Sequence, residues 1–187
     1  MKRNTTQTVF TCLTLIIALM ACDSSSHDSQ HHAELSLRDI SQSPKAIVPE
    51  NLFSNNLPES AIPVIAAKEY NQPGKELFIK GVIGGRVVPF SANRASFILC
   101  DESIKTCDKI PGDDCPTPWD ACCEDRKKLL QGSLSIQVLD KNNSLIHGNL
   151  NGVGGLNPGS KVKLLGVVDS QSLPQAMLVN AVQIQKL

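Results

Sequence analysis

The stretch GDDCPTPWDACCEDRKK, residues 112–128, holds three cysteines, the single tryptophan of the chain and a block of acids followed by a block of bases. Thiols gathered this closely coordinate a metal, exchange electrons or cross-link the chain. Cys107, Cys115, Cys122 and Cys123 are the residues to which these chemistries apply. A four-thiolate zinc site is usually marked by paired C-x-x-C clusters, and the spacings here lack them. No C-x-x-C redox motif is present either, and the neighbours Cys122 and Cys123 would form only a strained vicinal bond. The expectation is therefore two structural disulfides, with the Cys107 to Cys115 loop stapled to the segment that follows through Cys122 and Cys123. Cys100, at the end of an apolar strand, is then the leftover buried thiol. Five cysteines allow about fifteen ways to make two bonds and leave one thiol, so the connectivity stays open. Each closed loop would contribute about 2–4 kcal/mol.

Structural disulfides presuppose an oxidising compartment, and the N-terminus supplies the reason to expect one. Lys2 and Arg3 precede an apolar run over residues 9–20, and Leu19-Met20-Ala21-Cys22 then gives way to polar sequence. The run is short for a bilayer span, and residues 1–21 read as a signal peptide. Leu-Met-Ala-Cys resembles a bacterial lipobox, which implies cleavage after Ala21 and acylation of Cys22. With about 0.8 kcal/mol per buried methylene, two or three acyl chains hold a protein at a membrane without a spanning helix. The expected location is the bacterial cell envelope, lipid-anchored, with the folded part outside the cytoplasm. Asp23 resembles the enterobacterial signal for inner-membrane retention, which other bacteria do not follow, so inner against outer membrane stays open.

Residues 22–58 read as a disordered tether, because serine, histidine, asparagine and proline bury too little apolar surface to offset the entropy of ordering. Within it His27, His31 and His32, with Asp23 and Asp28, form a weak candidate tract for copper, nickel or zinc. Residues 59–187 suit one domain. Lysine plus arginine and aspartate plus glutamate balance at 18 each, and aromatics are only 4% of the chain. Neither a basic groove nor a stacking platform is available, which excludes nucleic acid as a partner.

Elements must position these cysteines. Residues 61–70 are expected to form a short helix closed by Pro73-Gly74. Alternating apolar residues then mark strands at 77–88, loosened at Gly84-Gly85, and at 95–99, 133–138, 161–168 and 177–185, with Asn142-Asn143 as a hairpin turn. Gly81 and Gly166 sit inside strands, where glycine marks a bend or bulge. Residues 117–131 read as an amphipathic helix with Thr117 as N-cap, Pro118 at the first position and Gly132 as its stop. Five short curved strands with one main helix resemble an OB-like barrel. The fold class is thus mainly β, a small antiparallel barrel with a stapled helix. In the usual OB arrangement the helix lies between strands three and four, whereas here it precedes strand three.

The phrases GDDCPTPWDACC, GGRVVPF and NGVGGLNPGSKVKLLG resemble a group of uncharacterised bacterial lipoproteins with a cysteine-containing OB-like domain. The resemblance implies the architecture and carries no activity. Arg86 and Arg94 flank the turn between the first two strands and, with Trp119, are the candidate ligand contacts. No Ser/His/Asp set, paired catalytic carboxylates or H-E-x-x-H motif is visible, and His147 stands alone. The expected function is non-catalytic: an envelope lipoprotein whose barrel binds another protein, a glycan or a small ligand, with no cofactor required and a metal admissible. The alternatives are a periplasmic metal or haem carrier and a thiol-disulfide redox protein.

Overall fold

The computed structural model describes residues 42–187. The expected signal peptide, Cys22 and the histidines His27, His31 and His32 lie outside the described residues. Six strands are present among the described residues: β1 (Ile62–Pro63), β2 (Glu76–Ile83), β3 (Ser96–Cys100), β4 (Ser133–Gln137), β5 (Lys161–Val168) and β6 (Leu178–Lys186). Among the described residues two short α-helices accompany them, α1 (Val64–Ala67) and α2 (Arg126–Gln131). Strands β2 to β6 follow the order β2-β3-β4-β6-β5, and β5 pairs back to β2, so the sheet closes on itself. Among these five strands all neighbours are antiparallel except β4 and β6, which run parallel with Ile136 opposite Val179; β1 lies parallel to β2. Closed in this order, the five strands make an OB-like barrel.

Alternation explains the strands. In β2 and β4 every second residue is buried, the period that puts one face of a strand inward. Ile79, Phe97, Leu99, Ile136, Leu164 and Val179 are all at most 2% exposed and belong to one continuous core. Gly166 sits where the β5–β6 register shifts; a Cβ there would stand 2.4 Å from Val179 Cγ1, so only glycine fits the bulge. Gly81 lets β2 approach the Cys100 carbonyl, which a Cβ would meet at 2.6 Å. Asn143 adopts φ of 60° between residues joined by the Leu139–Leu145 bridge, the left-handed turn its amide side chain tolerates.

Three features differ from the sequence reading. The tether does not extend to residue 58: Ala46, Leu52 and Leu57 are buried, the Ala46 N–H donates to Asn149 O and the Ser54 N–H to Ile184 O. Those three apolar side chains, spaced among prolines and asparagines, are enough to bind residues 42–58 to the barrel as a strap. The first helix is shorter than expected, because Pro63 is extended at φ −65°, ψ 159° and the regular helix spans only Val64–Ala67, followed by a 3-10 turn at Lys68–Tyr70.

The third difference lies in the cysteine segment. Thr117 is not an N-cap; the helix starts at Arg126, with the Asp125 carboxylate accepting from the Lys128 N–H at 3.0 Å. Residues 118–120 cannot be helical because their carbonyls serve other chain segments: Pro118 O accepts from Asp108 N–H, Trp119 O from Gly85 N–H and Asp120 O from Cys107 N–H. Trp119, Cys122, Cys123, Leu129 and Leu130 therefore do not share one helical stripe. Gly132 does end the helix, its N–H donating to Lys128 O at 2.8 Å. The helix precedes β4, the third barrel strand, and the β4–β5 connection holds only a 3-10 turn at Val153–Gly155.

Candidate functional site

The connection from β3 to α2, residues 101–125, carries four of the five described cysteines. It leaves the barrel at Asp101, whose buried carboxylate accepts from the Ile65 N–H at 3.0 Å and from the Ser103 N–H and hydroxyl at 3.0 and 2.7 Å. Burial raises the Asp101 pKa, and these donors with Lys109 more than reverse that, leaving it below the ordinary carboxylate value. Asp101 thus anchors the root of the loop to α1.

The far side of the loop docks on the barrel through tryptophan. Trp119 donates its indole N–H to Val87 O at 3.0 Å, and its carbonyl accepts from Gly85 at 2.8 Å. The close fit depends on two glycines. A Cβ on Gly84 would lie 2.6 Å from Trp119 O, and one on Gly85, which has φ of +80°, would lie 2.6 Å from Cys100 Sγ. Gly84-Gly85 is therefore a receptor for the loop. Cys100 is fully buried beside it, in a small satellite cluster with Ile104, Ala121 and Leu129. Burial, reinforced by the Asp101 charge, pushes its thiol up to about 11, so at neutral pH it is protonated and inert.

Backbone bonds from Cys107 to Asp120 at 2.8 Å and from Asp108 to Pro118 at 3.0 Å clamp the two arms of the loop. That clamp brings sulfurs together across 15 residues of sequence: Cys107 Sγ and Cys122 Sγ are 3.5 Å apart. The sulfurs of Cys107, Cys115 and Cys122 all lie within 4.8 Å of one another, a group able to hold a metal ion. Cys122 Sγ is also 3.6 Å from Cys123 Sγ. All five described cysteines are free thiols, and the expected disulfide partners stand in contact without a bond.

The thiols differ in environment. Burial and its two sulfur neighbours raise the Cys107 pKa. Cys115 is lowered, chiefly by the Thr117 side chain, whose hydroxyl oxygen lies 3.4 Å from its sulfur. For Cys122 the Cys107 thiol favours the charged form, but desolvation and Cys123 outweigh it and the pKa rises. Thr117, expected to start a helix, instead sits buried against Cys115.

Beside the loop is a pocket of about 310 Å³ between Trp119, Pro118, Asp108 and Lys109 on one side and Val82, Gly159 and Lys161 on the other. Lys161 pairs with Glu102 at 3.1 Å across its rim. Of the expected ligand contacts only Trp119 reaches this place. Arg86 and Arg94 are exposed on the β2–β3 connection, Arg94 forming a backbone bridge with His147, and neither lines the pocket. Sequence reading missed Asp101 and the receptor role of Gly84-Gly85; a double glycine at the end of an alternating strand is the signal that marks the latter.

No family model matches the sequence, and no curated protein matches it. Among solved structures the chain is similar to the hypothetical protein ygiW from E. coli, at 14% sequence identity and a TM-score of 0.36, over 72% of this chain and 100% of that one.

Proposed function

We propose that this protein is a non-catalytic, lipid-anchored envelope protein whose OB-like barrel is a rigid support for a binding loop, residues 101–125. The observation that carries this reading is where the polar chemistry lies. The barrel interior is filled by apolar side chains, which leaves no lumen for a ligand. Four of the five described thiols and Trp119 are on the loop docked outside it, and the adjacent pocket lies between the loop and the barrel. A barrel with a solid core and a cysteine-bearing surface loop suits recognition, since a rigid scaffold holds loop side chains in place for a partner.

The anchor follows from Leu19-Met20-Ala21-Cys22 and the positively charged start. Lipid on Cys22 tethers the barrel at the membrane, and polar residues from Asp23 onward give it reach. The partners that fit a surface with balanced charge are an envelope protein, a glycan or a small ligand, and a nucleic acid does not fit.

The test is metabolic labelling with radioactive palmitate, together with fractionation of the envelope. Wild-type protein is expected to carry label and sediment with membranes, and Cys22→Ser to lose both. Unlabelled wild-type protein recovered from the soluble fraction would remove the anchored reading.

A further inference from the structure

Three sulfurs converge in the loop where a disulfide needs two. A disulfide linking any two of Cys107, Cys115 and Cys122 would draw them to about 2.05 Å and leave the third outside that bond, to stay a thiol or to pair with Cys123, which lies 3.6 Å from Cys122. A metal ion uses all three. Zinc–sulfur bonds of about 2.3 Å in a tetrahedral site place the sulfurs roughly 3.8 Å apart, and here the three sulfurs lie within 4.8 Å of one another, with Cys107 and Cys122 at 3.5 Å. Bringing them to a common ion takes side-chain adjustments of less than a bond length.

The frame around the sulfurs is already set. Cys107 is 1% exposed and clamped by its N–H to Asp120 O; the Cys115 N–H donates to the Asp113 carboxylate at 3.0 Å. Cys122 follows Ala121, which is buried in the satellite cluster beneath the loop. Two ligands are thus held by backbone hydrogen bonds and the third by the packing of its neighbour. Cys122 is exposed, so an ion has a path in from solvent. A set composed of sulfur alone selects soft or borderline ions over magnesium, calcium or manganese.

From this convergence we propose that Cys107, Cys115 and Cys122 form a thiolate site for one d10 metal ion, zinc(II) or copper(I). Binding replaces three S–H protons with three metal–sulfur bonds, and the protons leave to solvent with no change of oxidation state. The inference rests on the reading of residues 101–125 as the binding loop and names the ligand that the loop takes. Zinc would complete four-coordination with one further ligand, whereas copper(I) is content with three sulfurs.

The experiment is elemental analysis of the full-length chain purified in detergent from envelopes without reductant, with an intact mass before and after alkylation. About one equivalent of zinc or copper per chain is expected, with Cys107, Cys115 and Cys122 shielded from alkylation until a chelator is added; which element is found decides between the two ions. Cobalt(II) added to the chelated chain is expected to give intense sulfur-to-cobalt charge-transfer absorption. Each of Cys107→Ser, Cys115→Ser and Cys122→Ser should lower zinc affinity at least tenfold, since losing even an outer-shell partner of a ligand costs about that much, while Cys100→Ala keeps the stoichiometry. Trp119 fluorescence reports whether each variant still folds its loop. Metal-free chain whose mass is short by two hydrogens for each of two disulfides would overturn the proposal, as would metal-free chain with every thiol reactive. Failure of the palmitate test with one metal equivalent still bound would remove the anchor and leave the metal site standing.

Discussion

The barrel and the cysteine loop are built on opposite principles. Each barrel strand is held by many interchangeable contacts: a ladder of backbone bonds and a core in which one aliphatic side chain does much the same as another. The loop has hardly any regular structure between Asp101 and α2. It is held by a few contacts that accept no substitute: two glycines under one tryptophan, one aspartate on three donors and a two-bond backbone clamp. The first kind of construction tolerates sequence change and supplies stability. The second places particular atoms, here sulfurs, at particular distances.

If that division is right, the largest loss should come from the barrel and reach the whole molecule. Leu164→Ala removes a fully buried side chain and is expected to cost about 2–5 kcal/mol, seen in urea unfolding as one shifted transition by both circular dichroism and Trp119 fluorescence. Divergence of the two probes in the wild type would instead make the loop an independent unit. Gly84→Ala should have the converse pattern. Its Cβ would collide with Trp119 O, and overpacking of this kind costs about 1–3 kcal/mol. The single tryptophan should shift toward the emission of exposed indole while the far-ultraviolet signal of the barrel is kept.

Asp101 sharpens the contrast with pH. Its carboxyl pKa is lower in the fold than the ordinary 3.8, so the unfolded chain binds the proton more readily. Its contribution is complete above the unfolded value and is lost as pH falls through the lowered folded value. Asp101→Asn is expected to cost about 1.5 kcal/mol at neutral pH and to flatten the fall in melting temperature between about pH 5 and pH 2. An unchanged acid profile would show that the root of the loop is held by something else. The smallest effect is expected from Asp125→Ala, which removes the N-cap of a six-residue helix for about 1 kcal/mol; hydrogen exchange of the Lys128 amide should quicken while that of β2 does not.

The same contrast explains what could be read in advance. Four barrel strands were legible to within a residue, and β2 at its start, because period-two alternation survives in Leu77, Ile79 and Gly81, or in Leu134 and Ile136, whatever they pack against; β2 ends at Ile83 and not at residue 88, since Gly84-Gly85 turns to receive the loop. Gly166 announced its bulge for the same local reason. The loop was misread because its decisive contacts are non-local. Thr117-Pro118 has every local mark of a helix start, and only the demand of Gly85, Asp108 and Cys107 for the carbonyls of residues 118–120 prevents it. The proximity of Cys107, Cys115 and Cys122 was illegible too, since it arises from that clamp and not from a regular spacing. The strap at residues 42–58 escaped notice because Ala46, Leu52 and Leu57 are sparse and follow no period.

One pairing bears on how copies of the barrel are kept apart. The ladder between β2 and β3 is short, joining only Val82 and Ile83 to Cys100 and Leu99, which would leave the earlier part of β2 with unpaired backbone groups. The two residues of β1 cover the middle of that gap, Ile62 lying opposite Ile79 and Pro63 opposite Lys80. Pro63 has no N–H to offer a further strand. A free strand edge invites pairing with a neighbour's edge. Two residues ending in proline thus act as a guard against fibril-like assembly.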